Sequence, residues 1–296
     1  MFESMFGNYS RVTRNLAGAV LAGLGASFAL SAVAIGAQPP TKSEAFPDLS
    51  STEFAWIKDS DSFVTAPSGG PGPVTFDPAH PYQPNNDSGL QVTYRVADLT
   101  NPILKPWAVA QMKAANDEVL AGKQPFRART SCVPGGVPGI LIYGRNEPVY
   151  FAQTPNEVLI LNQADSQTRH VYMNVAHRAH PAPSWYGESV GHYEGGDTLV
   201  VDTIGQNDKS FIDDYRTPHT SQIHVVERYR LTEGGKALQV IFTVEDPGAF
   251  NTPWSAMQTF HRQRLGTFLE AVCPENRGSP FYDSHHPIPQ ADKPDF

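Results

Sequence analysis

The stretch from Trp185 to Asp208, WYGESVGHYEGGDTLVVDTIGQND, holds two extended runs around a turn at Gly195-Gly196-Asp197. Successive side chains on a strand point to opposite faces. In the second run Thr198, Val200, Asp202 and Ile204 share one face, and Leu199, Val201 and Thr203 share the other. Apolar residues on both faces predict a strand buried on both sides. Asp202 is then a carboxylate among apolar neighbours, which is costly unless it is paired, hydrogen-bonded or protonated. That placement makes Asp202 the leading functional candidate.

The same period of two continues outward. Candidate strands fall at 149–153, 158–162, 168–173, 188–194, 198–204, 223–231, 237–245, 255–264 and 267–273. Turn signals such as Thr154-Pro155-Asn156, Ala164-Asp165-Ser166 and Glu233-Gly234-Gly235 separate them. Short links imply antiparallel hairpins, and a meander of this length is expected to curl into a lipocalin-like β-barrel. Closure would remove the exposed edges; a two-sheet sandwich is the rival. The longer connections 174–186 and 205–222 are rich in His, Asp and Pro, and such loops are where binding and chemistry concentrate. One helix is expected over 106–121, opened by Pro106, stopped by Gly122 and carrying Trp107 and Met112 on its apolar side. Residues 38–104 read as a proline- and glycine-rich arm lying on the body, with a short strand near 91–96. Trp56, Phe63, Phe76 and Tyr82 favour docking over disorder. The barrel domain is expected over 105–278 and an irregular tail over 279–296.

The first 37 residues read as a secretory signal peptide. Arg11 and Arg14 precede an uncharged run from Leu16 to Ala37, and Ala32-Val33-Ala34 or Ile35-Gly36-Ala37 fits a cleavage site. An uncleaved anchor is the competing reading. Export implies a periplasmic or secreted protein with no stable membrane insertion after cleavage. In an oxidising compartment Cys132 and Cys273 are expected to pair. The net charge of −8 argues against a nucleic-acid partner held by phosphate contacts. There is no G-x-S-x-G elbow, Walker A loop or G-x-G-x-x-G after a strand, so no cofactor is expected.

Several blocks carry a resemblance. They are Gly187 to Thr203, Pro218-His219-Thr220 with Val226-Glu227-Arg228-Tyr229, Glu245-Asp246-Pro247, and Glu270-Ala271-Val272-Cys273-Pro274-Glu275-Asn276. With these, residues 112–277 resemble a large family of secreted bacterial proteins marked by G-H-S-I-G-x-W-E-G-D-T-L-V-V-D-T. The resemblance implies a lipocalin-type barrel and an exported protein, and it implies no activity. This chain departs from the pattern at Glu188, usually His, at Tyr193, usually Trp, and by an extra glycine in the turn.

Four residues are candidates for chemistry. Asp202 reads as an acid or base inside a barrel, or as a structural aspartate bonded to loop amides or an arginine. Glu227 shares a face with Ile223, Val225, Tyr229 and Leu231, and reads as an interior carboxylate or as the partner of an arginine at the rim. His219 reads as a proton-transfer group with Asp213 or Asp214 to orient it, or as a solvent-facing loop histidine. His192 lies on the face Glu188-Val190-His192-Glu194, which is either a polar lining or a wet exterior. Trp185, Tyr193, Tyr229 and Asn207 are candidate substrate contacts. His177 and His180 form a weak metal pair, since no H-E-x-x-H or strand H-x-H is present.

The function expected is cofactor-free acid–base chemistry, a lyase, isomerase or hydrolase step, on a small and largely apolar molecule of aromatic or terpenoid type. In that scheme Asp202 or Glu227 removes a proton and His219 or His192 delivers one, with Tyr193 or Tyr229 on a developing oxyanion. The alternatives are a non-catalytic carrier of hydrophobic small molecules and a metal-dependent enzyme using the loop histidines.

Overall fold

The structure is a computed structural model that describes residues 46–50, 53–81, 95–123, 128–144, 147–264 and 268–271. The signal peptide, Tyr82, residues 91–94 of the candidate strand near 91–96 and Cys273 lie outside the described residues. Ten strands appear in chain order: β1 (Ala55–Lys58), β2 (Val64–Thr65), β3 (Val149–Gln153), β4 (Glu157–Asn162), β5 (Gln167–Met173), β6 (Glu188–Glu194), β7 (Thr198–Ile204), β8 (His224–Thr232), β9 (Ala237–Glu245) and β10 (Trp254–Gln263). Strands β3 to β10 follow one another around the sheet. β1 pairs with both β3 and β10, which closes a nine-strand barrel, and β2 adds a short pairing to β10. A single helix of α type, α1 (Pro106–Leu120), is present among the described residues.

Two features depart from the expected meander. The β5–β6 pair is parallel, with Val171 opposite Ser189 and Met173 opposite Gly191. The long connection after Met173 carries the chain back along the barrel, so β6 starts from the same end as β5; parallel neighbours require such a crossover. The ninth wall strand is also not the one expected at 267–273, where Phe268 to Ala271 belong to no strand. It is β1, contributed by the arm. Trp56 explains why: it is fully buried, and its indole Nε1 donates to the Leu49 carbonyl at 3.0 Å. Burying a side chain of that size offsets the cost of ordering a four-residue strand. Phe63 and Val74 anchor more of the arm, whereas Phe76 is exposed.

Alternation decides which side chains fill the barrel. Phe151, Ile160, Val171, Val201, Tyr229, Val240, Phe242, Trp254 and Phe260 belong to one buried cluster. Phe242 meets Trp254 edge-on, as Phe151 meets Tyr229. On β6 the interior residues are Ser189, Gly191 and Tyr193. A Cβ at Gly191 would lie 2.8 Å from the Val171 side chain, so the missing side chain admits the neighbouring strand rather than a ligand.

The register corrects the reading of Asp202. Val201 pairs with Glu227, and Leu199 and Thr203 are fully buried with it. The opposite face of β7, carrying Asp202, therefore forms the barrel's outer surface, and the Asp202 side chain is 39 % exposed. Val200 and Ile204 gave that outer face an apolar look. On α1 the buried residues are Ala108, Met112 and Asn116, and Leu120 is exposed. Asn116 holds the arm by exchanging two hydrogen bonds with the Ala97 backbone.

Candidate functional site

The connection between β7 and β8 folds back on itself between Ser210 and His219. Phe211 bridges Pro218, and the Ile212 amide donates to the Thr217 carbonyl at 3.0 Å. Asp213 sits in the turn. Its carboxylate accepts the Tyr215 and Thr217 amides at 2.9 and 3.1 Å and the Thr217 hydroxyl at 2.8 Å. Burial pushes the Asp213 carboxyl up to about 6, against the pull of those donors. Arg216 adopts φ 60 and donates to the Arg95 carbonyl at 2.8 Å, tying the turn to the arm. Asp214 lies 3.7 Å from Arg95. Neither aspartate orients His219, contrary to the sequence reading: Asp213 is used inside the turn and Asp214 faces Arg95 of the arm.

Closing this hairpin brings Ser210 and His219 together. The Ser210 hydroxyl lies 2.9 Å from His219 Nε2, and His219 Nδ1 lies 3.1 Å from the Thr220 carbonyl. A carbonyl only accepts, so Nδ1 carries the proton and donates. In the neutral ring Nε2 then presents a lone pair, and the Ser210 hydroxyl donates to it. Burial lowers the His219 pKa, which favours that neutral form, although the nearby Thr220 carbonyl, Asp246 and Asp208 oppose the shift. Thr220 is itself fixed. Its amide donates to Asp246 Oδ2 at 2.5 Å and its hydroxyl to Asp246 Oδ1 at 2.7 Å. Asp246 is buried and also accepts the Gly248 and Ala249 amides.

Ser210 and His219 line a cavity of about 230 Å³. Trp107 and Gln111, one turn apart on α1, form another part of the wall, with Lys209, Phe211 and Pro218 from the loop. The Trp107 indole is held by donating to the Gly248 carbonyl at 2.6 Å. Gly136 packs behind Ser210: a Cβ there would lie 2.3 Å from the hydroxyl oxygen, and its φ is 67. The site thus combines one helix face, one folded loop and a glycine-backed serine.

The other candidates lie elsewhere and do not share this cavity. On the outer wall, Asp202 Oδ1 lies 3.0 Å from His177 Nε2 and 3.0 Å from His224 Nε2. His177 Nδ1 lies 3.2 Å from Glu188, which also accepts the Arg178 amide at 2.8 Å and the Arg178 guanidinium. These contacts pin the β5–β6 crossover to the wall. Burial works to raise the Glu188 carboxyl, but Arg178 and His177 hold it below its ordinary value. His180 is exposed, and among the described residues no group of three or more His, Cys, Asp and Glu side chains is arranged to hold a metal. His192 is on the wet exterior, 3.1 Å from Glu194.

Glu227 does look into the barrel and is fully buried. Its partner, Arg169, is in the core rather than at the rim, with 2.5 Å between Nη2 and Oε2. Arg169 also donates to Ser189 and Thr203, and the Tyr229 hydroxyl donates to Glu227 at 2.9 Å. Burial and the Glu227 charge drive the Tyr229 pKa far up. Tyr193 accepts from Gln153 at 2.8 Å and stacks on Phe46. Trp185 is half-buried, and Asn207 opens the loop by accepting the Lys209 amide at 3.1 Å. The expected bridge partner of Cys132 lies outside the described residues.

Sequence reasoning missed Ser210, Gln111 and Lys209. The one legible signal was a serine and a histidine at the two ends of a loop whose middle, Asp213 to Pro218, is rich in turn formers. No protein-family model matches the chain, and no curated protein matches it in sequence.

Proposed function

We propose that this protein is an exported enzyme that binds a small molecule in the cavity between α1 and the β7–β8 loop, and that His219 transfers protons there without a cofactor. The reading is carried by one observation: the His219 ring is held by the Thr220 carbonyl so that Nε2 meets a hydroxyl at the cavity wall. A base placed within hydrogen-bond reach and kept neutral by burial suits general acid–base work. The cavity lies below the roughly 300–1,000 Å³ of drug-sized sites, so the molecule is small. Trp107, Phe211 and Pro218 suit an apolar or aromatic part of it, and Gln111 and Lys209 a polar end. Asp202, Glu227 and His192 have no part in this scheme, because the first and last lie on the outer wall and the second is tied to Arg169.

Binding is tested with phenyl acetate and related monocyclic aromatic esters and alcohols, following the emission of Trp107 as the difference between wild type and Trp107→Phe. Saturable quenching that Gln111→Trp removes supports the site; quenching unaffected by Gln111→Trp rejects it. For a turned-over compound, His219→Gln is expected to lower kcat by roughly 10²–10⁴-fold. In the wild type the acid limb of kcat/KM falls below the ordinary imidazole value of about 6.5, because burial depresses the His219 pKa.

A further inference from the structure

We infer that Ser210 is a nucleophile and that the cavity carries out acyl transfer on esters of short acyl groups. This inference rests on the cavity reading above and adds a covalent step to it. The observations are geometric. The Ser210 hydroxyl donates to His219 Nε2 across 2.9 Å, the contact an activated serine needs. The opposite ring nitrogen donates to a fixed acceptor, which sets the tautomer. In the familiar Ser-His-Asp arrangement a carboxylate performs that task directly. Here the acceptor is the Thr220 carbonyl, and Asp246 acts one step removed by binding both the amide and the hydroxyl of Thr220. Asp246 is therefore a positioning residue.

The atoms balance with water as the only co-reactant. Ser210 Oγ attacks the acyl carbonyl carbon as its proton passes to His219 Nε2. The carbon–oxygen bond to the alcohol breaks, and Nε2 returns the proton to the departing alkoxide, leaving an ester on Ser210. Water then attacks that ester, giving one proton to Nε2. The bond to Ser210 Oγ breaks, Nε2 reprotonates the serine, and a carboxylic acid leaves. Gln111 and Lys209 are the side-chain donors in the cavity wall available to the transient oxyanion. The small volume and the Trp107 and Phe211 rings select a short acyl group on an aromatic alcohol.

The test treats the full mature chain with a fluorophosphonate, which captures activated serines, and maps the adduct by peptide mass spectrometry. Labelling is expected at Ser210, absent in Ser210→Ala and slowed at least 100-fold in His219→Gln. Asp246→Asn is expected to slow labelling by about 10-fold at neutral pH with unchanged affinity for phenyl acetate, the split of a positioning role. Ser210→Cys keeps a nucleophile and should be alkylated by iodoacetamide faster than free cysteine. An unlabelled Ser210, or one labelled at equal rates with and without His219, overturns the inference. If phenyl acetate still quenches Trp107 in that case, the cavity reading stands and the nucleophile alone fails; if quenching is lost too, both fail.

Discussion

Two buried polar groups of side chains invite comparison. Inside the barrel, Arg169, Glu227, Tyr229, Ser189 and Thr203 form a network sealed by aromatic rings. At the β7–β8 loop, Ser210 and His219 are buried nearly as well, each 4 % exposed, yet they line a cavity. In the first, carboxylate and guanidinium neutralise each other, although Arg169 Nη1 has no hydrogen-bond partner, so the charge is spent on holding strands together. In the second, the imidazole meets a neutral hydroxyl and has proton-transfer capacity left. Burial of an ionisable group is thus a poor guide to chemistry. What separates the two is whether the partner neutralises the group and whether a space adjoins it.

The sharpest way to break the comparison is Glu227→Leu. It strands Arg169 in the core and is expected to cost about 3–5 kcal/mol in urea unfolding, with much of the loss recovered by adding Arg169→Met. A loss near zero would mean the interior network is not sealed. The next effect concerns Asp213, which titrates near 3.8 unfolded and near 6 folded. The folded state therefore holds this proton more tightly, and stability falls as pH rises from about 4 to about 6. At 1.36 kcal/mol per unit the drop is at most about 3 kcal/mol. Asp213→Asn keeps the turn's amide acceptor and should flatten that slope in thermal melts; an unchanged slope assigns it to another group. Ser210→Ala comes third, removing one neutral hydrogen bond at about 1 kcal/mol while abolishing labelling. A larger destabilisation would make the loop pair as structural as the interior one. Last, Arg228→Ala breaks an exposed pair with Glu194 and should shift thermal melts least of the four, the small shift vanishing in high salt.

Much of the barrel was legible because long strands with one polar and one apolar face announce their period. The runs at 149–153, 188–194, 198–204 and 237–245 coincide with β3, β6, β7 and β9. The interior face of Glu227 was legible because Ile223, Val225, Tyr229 and Leu231 share it, whereas its arginine partner was expected at the rim and lies in the core. Asp202 was placed on the wrong side because Val200 and Ile204 made both faces of β7 look alike; only the register with β8 separates them. β1 was missed because four residues cannot display a period. The Ser210–His219 contact was illegible for a different reason: it is made by a turn closing nine positions apart, and the local sequence shows neither its angle nor the helix packed against it.

The seam of the barrel has a kinetic consequence. Asp59 and His261, which meet beside the β1–β10 pairing, are 202 positions apart. Ring closure joins the earliest wall strand to emerge from the ribosome with the last. Until β10 arrives, β1 and β9 each lack a neighbour and the half-built sheet offers open edges to other chains. Such long-range pairing slows folding and leaves the nascent chain prone to sticking. A holding chaperone that covers those edges until synthesis is complete is expected to raise the yield of folded protein.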